Sequence, residues 1–98
     1  MNKVLLQLTL DTIKENPQHW DQTSWHCGTT HCFAGFAELI LKNLSLDTYV
    51  DGYEINGWEV NDYAIAKLGL TDDQAVQLFN PTNTLEDLER MVGVLVTS

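Results

Sequence analysis

Apolar positions recur along this chain with two periods, one helical and one strand-like. In "VLLQLTLDTIKE" (4–15), Leu6, Leu10 and Ile13 fall at the three- and four-residue spacing of one helix face. Asn2 can cap that helix, and Asn16-Pro17 stops it over 3–15, because a residue before proline avoids the helical region. "QHWDQTSWHCG" (18–28) has no period and reads as an irregular loop carrying Trp20 and Trp25. A second helix follows, capped by Thr29 or Thr30 and running to about Asn43. Its apolar residues are Cys32, Phe33, Phe36, Ala37, Leu39, Ile40 and Leu44. They cover more than half the circumference, which predicts the most buried helix. His31 falls with Gly35, Glu38 and Lys42 on its more polar face. Gly35 inside a helix lowers stability relative to alanine, so close approach of a backbone or ring is expected there.

The period then changes to two. "DGYEINGWEV" (51–60) places Asn56-Gly57 where a two-residue type I′ turn belongs. That register pairs Ile55 with Trp58, Glu54 with Glu59 and Tyr53 with Val60. Tyr53, Ile55, Trp58 and Val60 share the face expected to meet the core. Glu54 and Glu59 face outward, directly opposite each other, an unfavourable pairing that a basic partner would relieve.

Helical spacing returns for the remainder. Asn61 can cap a short third helix ending at Leu68, with Gly69 as its C-terminal cap. Thr71 and Gln74 form a capping-box signature, and Asp72 and Asp73 sit where a helix dipole favours negative charge. Asn80-Pro81 ends this fourth helix. Thr84 caps a fifth, with Glu86 and Asp87 in its first turn and a Leu85, Leu88, Val92 and Leu95 stripe. The expected fold is mainly α, about five helices with one small β-hairpin, in a compact single domain spanning 1–98.

Charge changes the picture. The net charge is −9. Residues 1–46 hold four acids and three bases, whereas residues 47–98 hold ten acids against Lys67 and Arg90 alone. The second half repels nucleic acid and attracts basic surfaces. Direct nucleic-acid binding is therefore not expected, and no segment has transmembrane length. The opening "MNKVLLQLTLDTIKENP" lacks a signal peptide's apolar run and cleavage site, which predicts a cytoplasmic protein. Two cysteines in a reducing compartment are not a disulfide framework.

"WHCGTTHC" (25–32) is the stretch with the most chemistry. Cys27, Cys32, His19, His26 and His31 are competent zinc ligands. Adjacent side chains point apart, however, so each His-Cys pair offers one ligand at most, and Cys-x4-Cys without a second pair is a weak signal. A nucleophilic thiol is the second reading, with Cys32 in a helix's first turn, where the dipole lowers a thiol pKa. "CGTTHCFA" resembles the papain-type Cys-Gly-Ser-Cys-Trp-Ala-Phe run but carries an inserted residue. No histidine follows His31 to serve as its base. The third reading is architectural: Cys32 faces the core, Gly28 permits the turn, and the threonines cap the helix. The expectation is the third reading, with no metal, no cofactor and no catalytic residues.

"CGTTHCFAGFAELIL" together with "LGLTDDQAVQLF" resembles a family of small, mostly uncharacterised bacterial and bacteriophage proteins. The matching residues are Trp25, Cys27, Gly28, Thr29, Cys32, Ala34 and Gly35, then Leu68 to Phe79. His26 and His31 are not part of that pattern. The resemblance implies no activity. It implies a phage association, and small acidic phage proteins act by occupying basic surfaces of host proteins.

Three functional classes follow. The first is an acidic, non-enzymatic binding module, an inhibitor of anti-CRISPR type that docks on a host protein with a basic surface. Its contact residues would be Glu54, Glu59, Asp51, Asp62 and Trp20. The second is a thiol- or metal-dependent enzyme centred on Cys27 and Cys32. The third is a homo-oligomeric structural module using exposed aromatics such as Trp20. The oligomeric state is left open.

Overall fold

The computed structural model describes the backbone of residues 1–23, 26–43, 45, 50–52, 54–55 and 58–97. Side chains are described for the same residues except 26–28, 50–52, 54–55 and 58–61. The helices are α1 (Lys3–Glu15), α2 (Phe33–Leu41), α3 (Val60–Leu68), α4 (Asp72–Leu78) and α5 (Leu85–Thr97). The strands are β1 (His26–Gly28), β2 (Thr30–His31), β3 (Val50–Gly52), β4 (Glu54–Ile55) and β5 (Trp58–Glu59). The chain is thus mainly α, as its periodicity predicts. The Cα radius of gyration is 11.9 Å, close to the roughly 12.6 Å expected of a compact domain this long.

One core cluster draws on all five helices. It includes Leu6, Leu10 and Ile13 of α1, Phe33 and Phe36 of α2, Leu68 of α3, Leu78 of α4, and Leu88 and Val92 of α5. Full burial of such a side chain stabilises the fold by about 1.5–3 kcal/mol. Phe33 stacks on Phe79 with ring centroids 6.5 Å apart, tying α2 to the end of α4.

Several boundaries follow local chemistry. Asn2 Oδ1 accepts from the Leu5 N–H at 3.0 Å and caps α1. Thr71 and Gln74 make the reciprocal capping box of α4. Thr84 and Asp87 do the same for α5: the Asp87 N–H donates to Thr84 Oγ1 and the Thr84 N–H to Asp87 Oδ2, at 3.2 and 3.0 Å. Gly69 follows α3 at φ +69°, the left-handed conformation that ends a helix, and its N–H donates to the Ile65 carbonyl at 3.0 Å. The N-terminal segment closes against this turn, with the Asn2 N–H donating to the Leu68 carbonyl at 2.7 Å.

The second helix differs from the expectation. Thr29 and Thr30 do not cap it: Thr30 and His31 form a strand, and α2 starts at Phe33 with Cys32 in the N-cap position. Cys32 makes no side-chain cap bond. Residues 26–28, expected in an irregular loop, form the central strand of a β2-β1-β3 sheet. The antiparallel β1–β2 register sets His26 opposite His31 and Cys27 opposite Thr30. On its other side β1 pairs with β3, setting Cys27 opposite Asp51. Strands of three and two residues with only Thr29 between them are too short for a period of two to appear. α2 also stops earlier, at Leu41, with Asn43 at φ +55° beyond it.

The polar face expected on α2 is buried instead. His31, Gly35 and Glu38 all lie inside, in a chain whose α2 packs against both α1 and α3. Only Lys42, half-buried, reaches its edge. Gly35 is buried within α2.

In the second strand pair β4 and β5 run antiparallel, with Glu54 opposite Glu59 and Ile55 opposite Trp58, the register expected. Val60 begins α3 rather than extending the ladder toward Tyr53. Tyr53, the Asn56-Gly57 turn, Trp25, Leu44 and the side chains of Ile55, Trp58 and Val60, expected to face the core, lie outside what the structure describes.

Candidate functional site

The residues expected to carry function fall into two regions. The first is the His-Cys segment. Within eight residues, 26–33, the chain makes β1, reverses, makes β2 and starts α2. Trp20 continues this sheet through a parallel bridge to His31, and the Asp21 N–H donates to the His31 carbonyl at 2.9 Å. His31 is fully buried, its ring edge-on to Phe36 at 5.9 Å between centroids. His19 lies on the exposed side, donating from Nδ1 to the Thr29 carbonyl at 2.8 Å. That bond fixes the protonated ring nitrogen and holds the 3-10 turn Pro17–His19 against the hairpin.

Cys32 is free and 2% exposed. Burial pushes its thiol up to about 11, overcoming the backbone N–H groups of Gly35 and Ala34 at the start of α2. A helix terminus lowers a thiol pKa, but here withdrawal from water dominates, and Cys32 faces the core as the architectural reading expects. At neutral pH it is a protonated, inaccessible group, poorly suited to nucleophilic attack. Among the described residues no three His, Cys, Asp or Glu side chains gather to hold a metal ion. The Cys27 side chain lies outside the described residues.

Beneath this segment lies a residue that periodicity does not reveal. Gln22 is 6% exposed and makes four hydrogen bonds. Its Oε1 accepts from the Trp20 indole at 3.0 Å and from the Phe33 N–H at 3.2 Å. Its Nε2 donates to the carbonyls of Leu78 and Asn80 at 3.0 and 3.2 Å. One amide therefore caps the start of α2 and the end of α4. Its partners lie up to 58 residues away in sequence, which is why no local motif marks it.

Trp20, expected as an exposed aromatic, is half-buried against the core with its N–H committed to Gln22. It belongs chiefly to the packing.

The second region is acidic. Backbone register sets Glu54 directly opposite Glu59. Asp51 is on β3, opposite Cys27. Asp62 is exposed in the first turn of α3, which β5 contacts. The structure thus puts Glu54, Glu59 and Asp62 on consecutive elements. On α3, the Tyr63 ring is approached by Lys42 and Lys67, with Nζ 5.0 and 5.8 Å from its centroid. Lys42 also lies 3.8 Å from buried Glu38.

No helix among the described residues is long and apolar enough to cross a membrane. No family model matches the chain, and comparisons with curated proteins and with solved structures give no match.

Proposed function

We propose that this protein is a small, non-enzymatic binding module that docks through its acidic half on a basic surface of a partner protein. The observation that carries the reading is the Glu54–Glu59 cross-strand pair. Two acids directly opposite in a ladder destabilise it when unpartnered, and a lysine or arginine of a partner relieves the repulsion. The surrounding half supports the reading, since residues 47–98 carry ten acids and two bases. A buried Cys32 with a raised pKa makes thiol catalysis the weaker alternative. The partner class with the required basic groove is a nucleic-acid-handling or defence protein of a host cell. This chain would occupy that groove in the cytoplasm in place of nucleic acid, as phage inhibitors of anti-CRISPR type do.

The test combines Glu54→Gln and Glu59→Gln. The double variant should fold with equal or slightly greater stability. Partner capture, compared at low and high salt and identified by cross-linking, should weaken in the variant and lose part of its salt dependence. Capture that ignores both the substitution and the salt would refute the electrostatic docking.

A further inference from the structure

A groove of about 160 Å³ opens between α4 and α5. Its floor is Leu78, which is buried, and its apolar walls are Met91, Val94 and Leu95. Val94 is 63% exposed although it lies among apolar neighbours. Gln74 and Gln77 line the α4 side. Gln74 already accepts from the Thr71 N–H through Oε1 at 2.9 Å, so its amide NH2 is the group suited to a visiting carbonyl.

The charge around this apolar slot is one-sided. Three of the lining rows begin with an acid one helical turn earlier: Asp73 before Gln77, Glu86 before Arg90, Asp87 before Met91. Asp73 and Glu86 are exposed. Among the described residues Arg90 is the one cation lining the groove, and it lies 3.3 Å from Asp87 and is largely matched by it. Three carboxylates against one guanidinium leave a net charge of −2 on these rows. An anionic ligand is disfavoured. The size is also selective: an apolar cavity of roughly 150 Å³ takes a benzene-sized group, whereas cofactor and metabolite sites run to about 300 Å³ or more. The space fits one aliphatic side chain.

We infer that the α4–α5 groove receives a single leucine- or methionine-sized side chain from a partner segment whose flanking residues are lysine or arginine. This rests on the basic-partner reading above and gives that partner a second, apolar point of attachment. The division of labour is physical. Exposed charges speed and orient encounter but contribute little affinity, while a buried aliphatic anchor slows dissociation. The glutamine amides suit the backbone carbonyls on either side of the anchor.

The probe is the peptide acetyl-Lys-Arg-Leu-Lys-Arg-amide, titrated into 15N-labelled protein and followed by amide chemical shifts. Saturable shifts should concentrate on residues 74–78 and 90–95. Acetyl-Lys-Arg-Ser-Lys-Arg-amide should bind there about tenfold more weakly, the loss of one buried aliphatic group. Val94→Lys, at an exposed position, should abolish the groove shifts with the circular dichroism spectrum unchanged. Gln77→Lys, also exposed, is the second variant should Val94→Lys fold poorly. Equal binding of the two peptides, or shifts scattered over all acidic residues, would overturn the anchor. So would concentration-dependent broadening confined to the groove without peptide, since a second copy would then be the occupant. The Glu54→Gln, Glu59→Gln protein should bind the leucine peptide within about twofold of the parent. Loss of salt-sensitive partner capture with groove binding intact would refute only the strand-pair reading, and the reverse would refute only the groove.

Discussion

Replacing Gln22 tests how the two halves of the fold are joined. In Gln22→Ala the Phe33 N–H and the Leu78 carbonyl lose partners in bonds that are buried, while the Trp20 indole and the Asn80 carbonyl lose partners in bonds that are part-buried. A buried bond contributes about 1–1.5 kcal/mol net and a half-exposed one about 0.5 kcal/mol, since water replaces the latter's partner. The sum is roughly 3 kcal/mol, a large share of the 5–15 kcal/mol typical of a whole domain. It corresponds to a fall in Tm of about 12–24 °C at this chain length. Urea unfolding followed by tryptophan fluorescence and far-ultraviolet dichroism measures it. Gln22→Glu sharpens the test. The new carboxylate would face the Leu78 and Asn80 carbonyls, where Gln22 now donates. Both burial and those carbonyls raise its folded pKa above the unfolded value. The variant should be least destabilised below about pH 4, where the acid is protonated in both states. It should lose stability as pH rises through the folded pKa. A Gln22→Ala protein within about 0.5 kcal/mol of the parent, or a pH-independent deficit in Gln22→Glu, would refute this account.

Further tests address other elements. Gly93→Ala should stabilise the protein by about 0.5–1 kcal/mol in chemical denaturation, because a Cβ there meets nothing within 4 Å and alanine favours the interior of α5. Gly69→Ala should destabilise it by about 1–3 kcal/mol, since φ is +69° and the added Cβ would lie 2.9 Å from Met1 Cα. Cys32 holds its proton in the native state up to about 11. Its folded pKa is raised, so the native state should lose roughly 2–3 kcal/mol between about pH 9 and 11, and Cys32→Ala should flatten that alkaline slope. Cys32→Ser should lower stability by about 1–3 kcal/mol at neutral pH, because it buries an additional polar group.

Local chemistry determined much of this molecule before any long-range contact. Asn2, the Thr71–Gln74 box, Thr84 and Gly69 set helix boundaries with their own side chains or backbone freedom, interactions that span three or four residues. The stripes of α1 and α5 named their own core faces for the same reason. The Glu54–Glu59 register followed from alternation around Asn56-Gly57. Tertiary structure decided what depends on distant partners. The start of α2 moved from Thr30 to Phe33 because residues 26–31 pair as strands, and Gln22 rather than a threonine reaches the Phe33 N–H. The side of α2 bearing His31 and Glu38 is polar by composition, yet tertiary packing buries it. The Cys32 thiol shows the same division. Sequence placed it near a helix terminus that lowers a thiol pKa, and the packing around it raises that pKa because desolvation outweighs a few backbone dipoles. The α4–α5 groove belongs to packing alone, since its two walls are separate helices whose meeting no spacing in the sequence records.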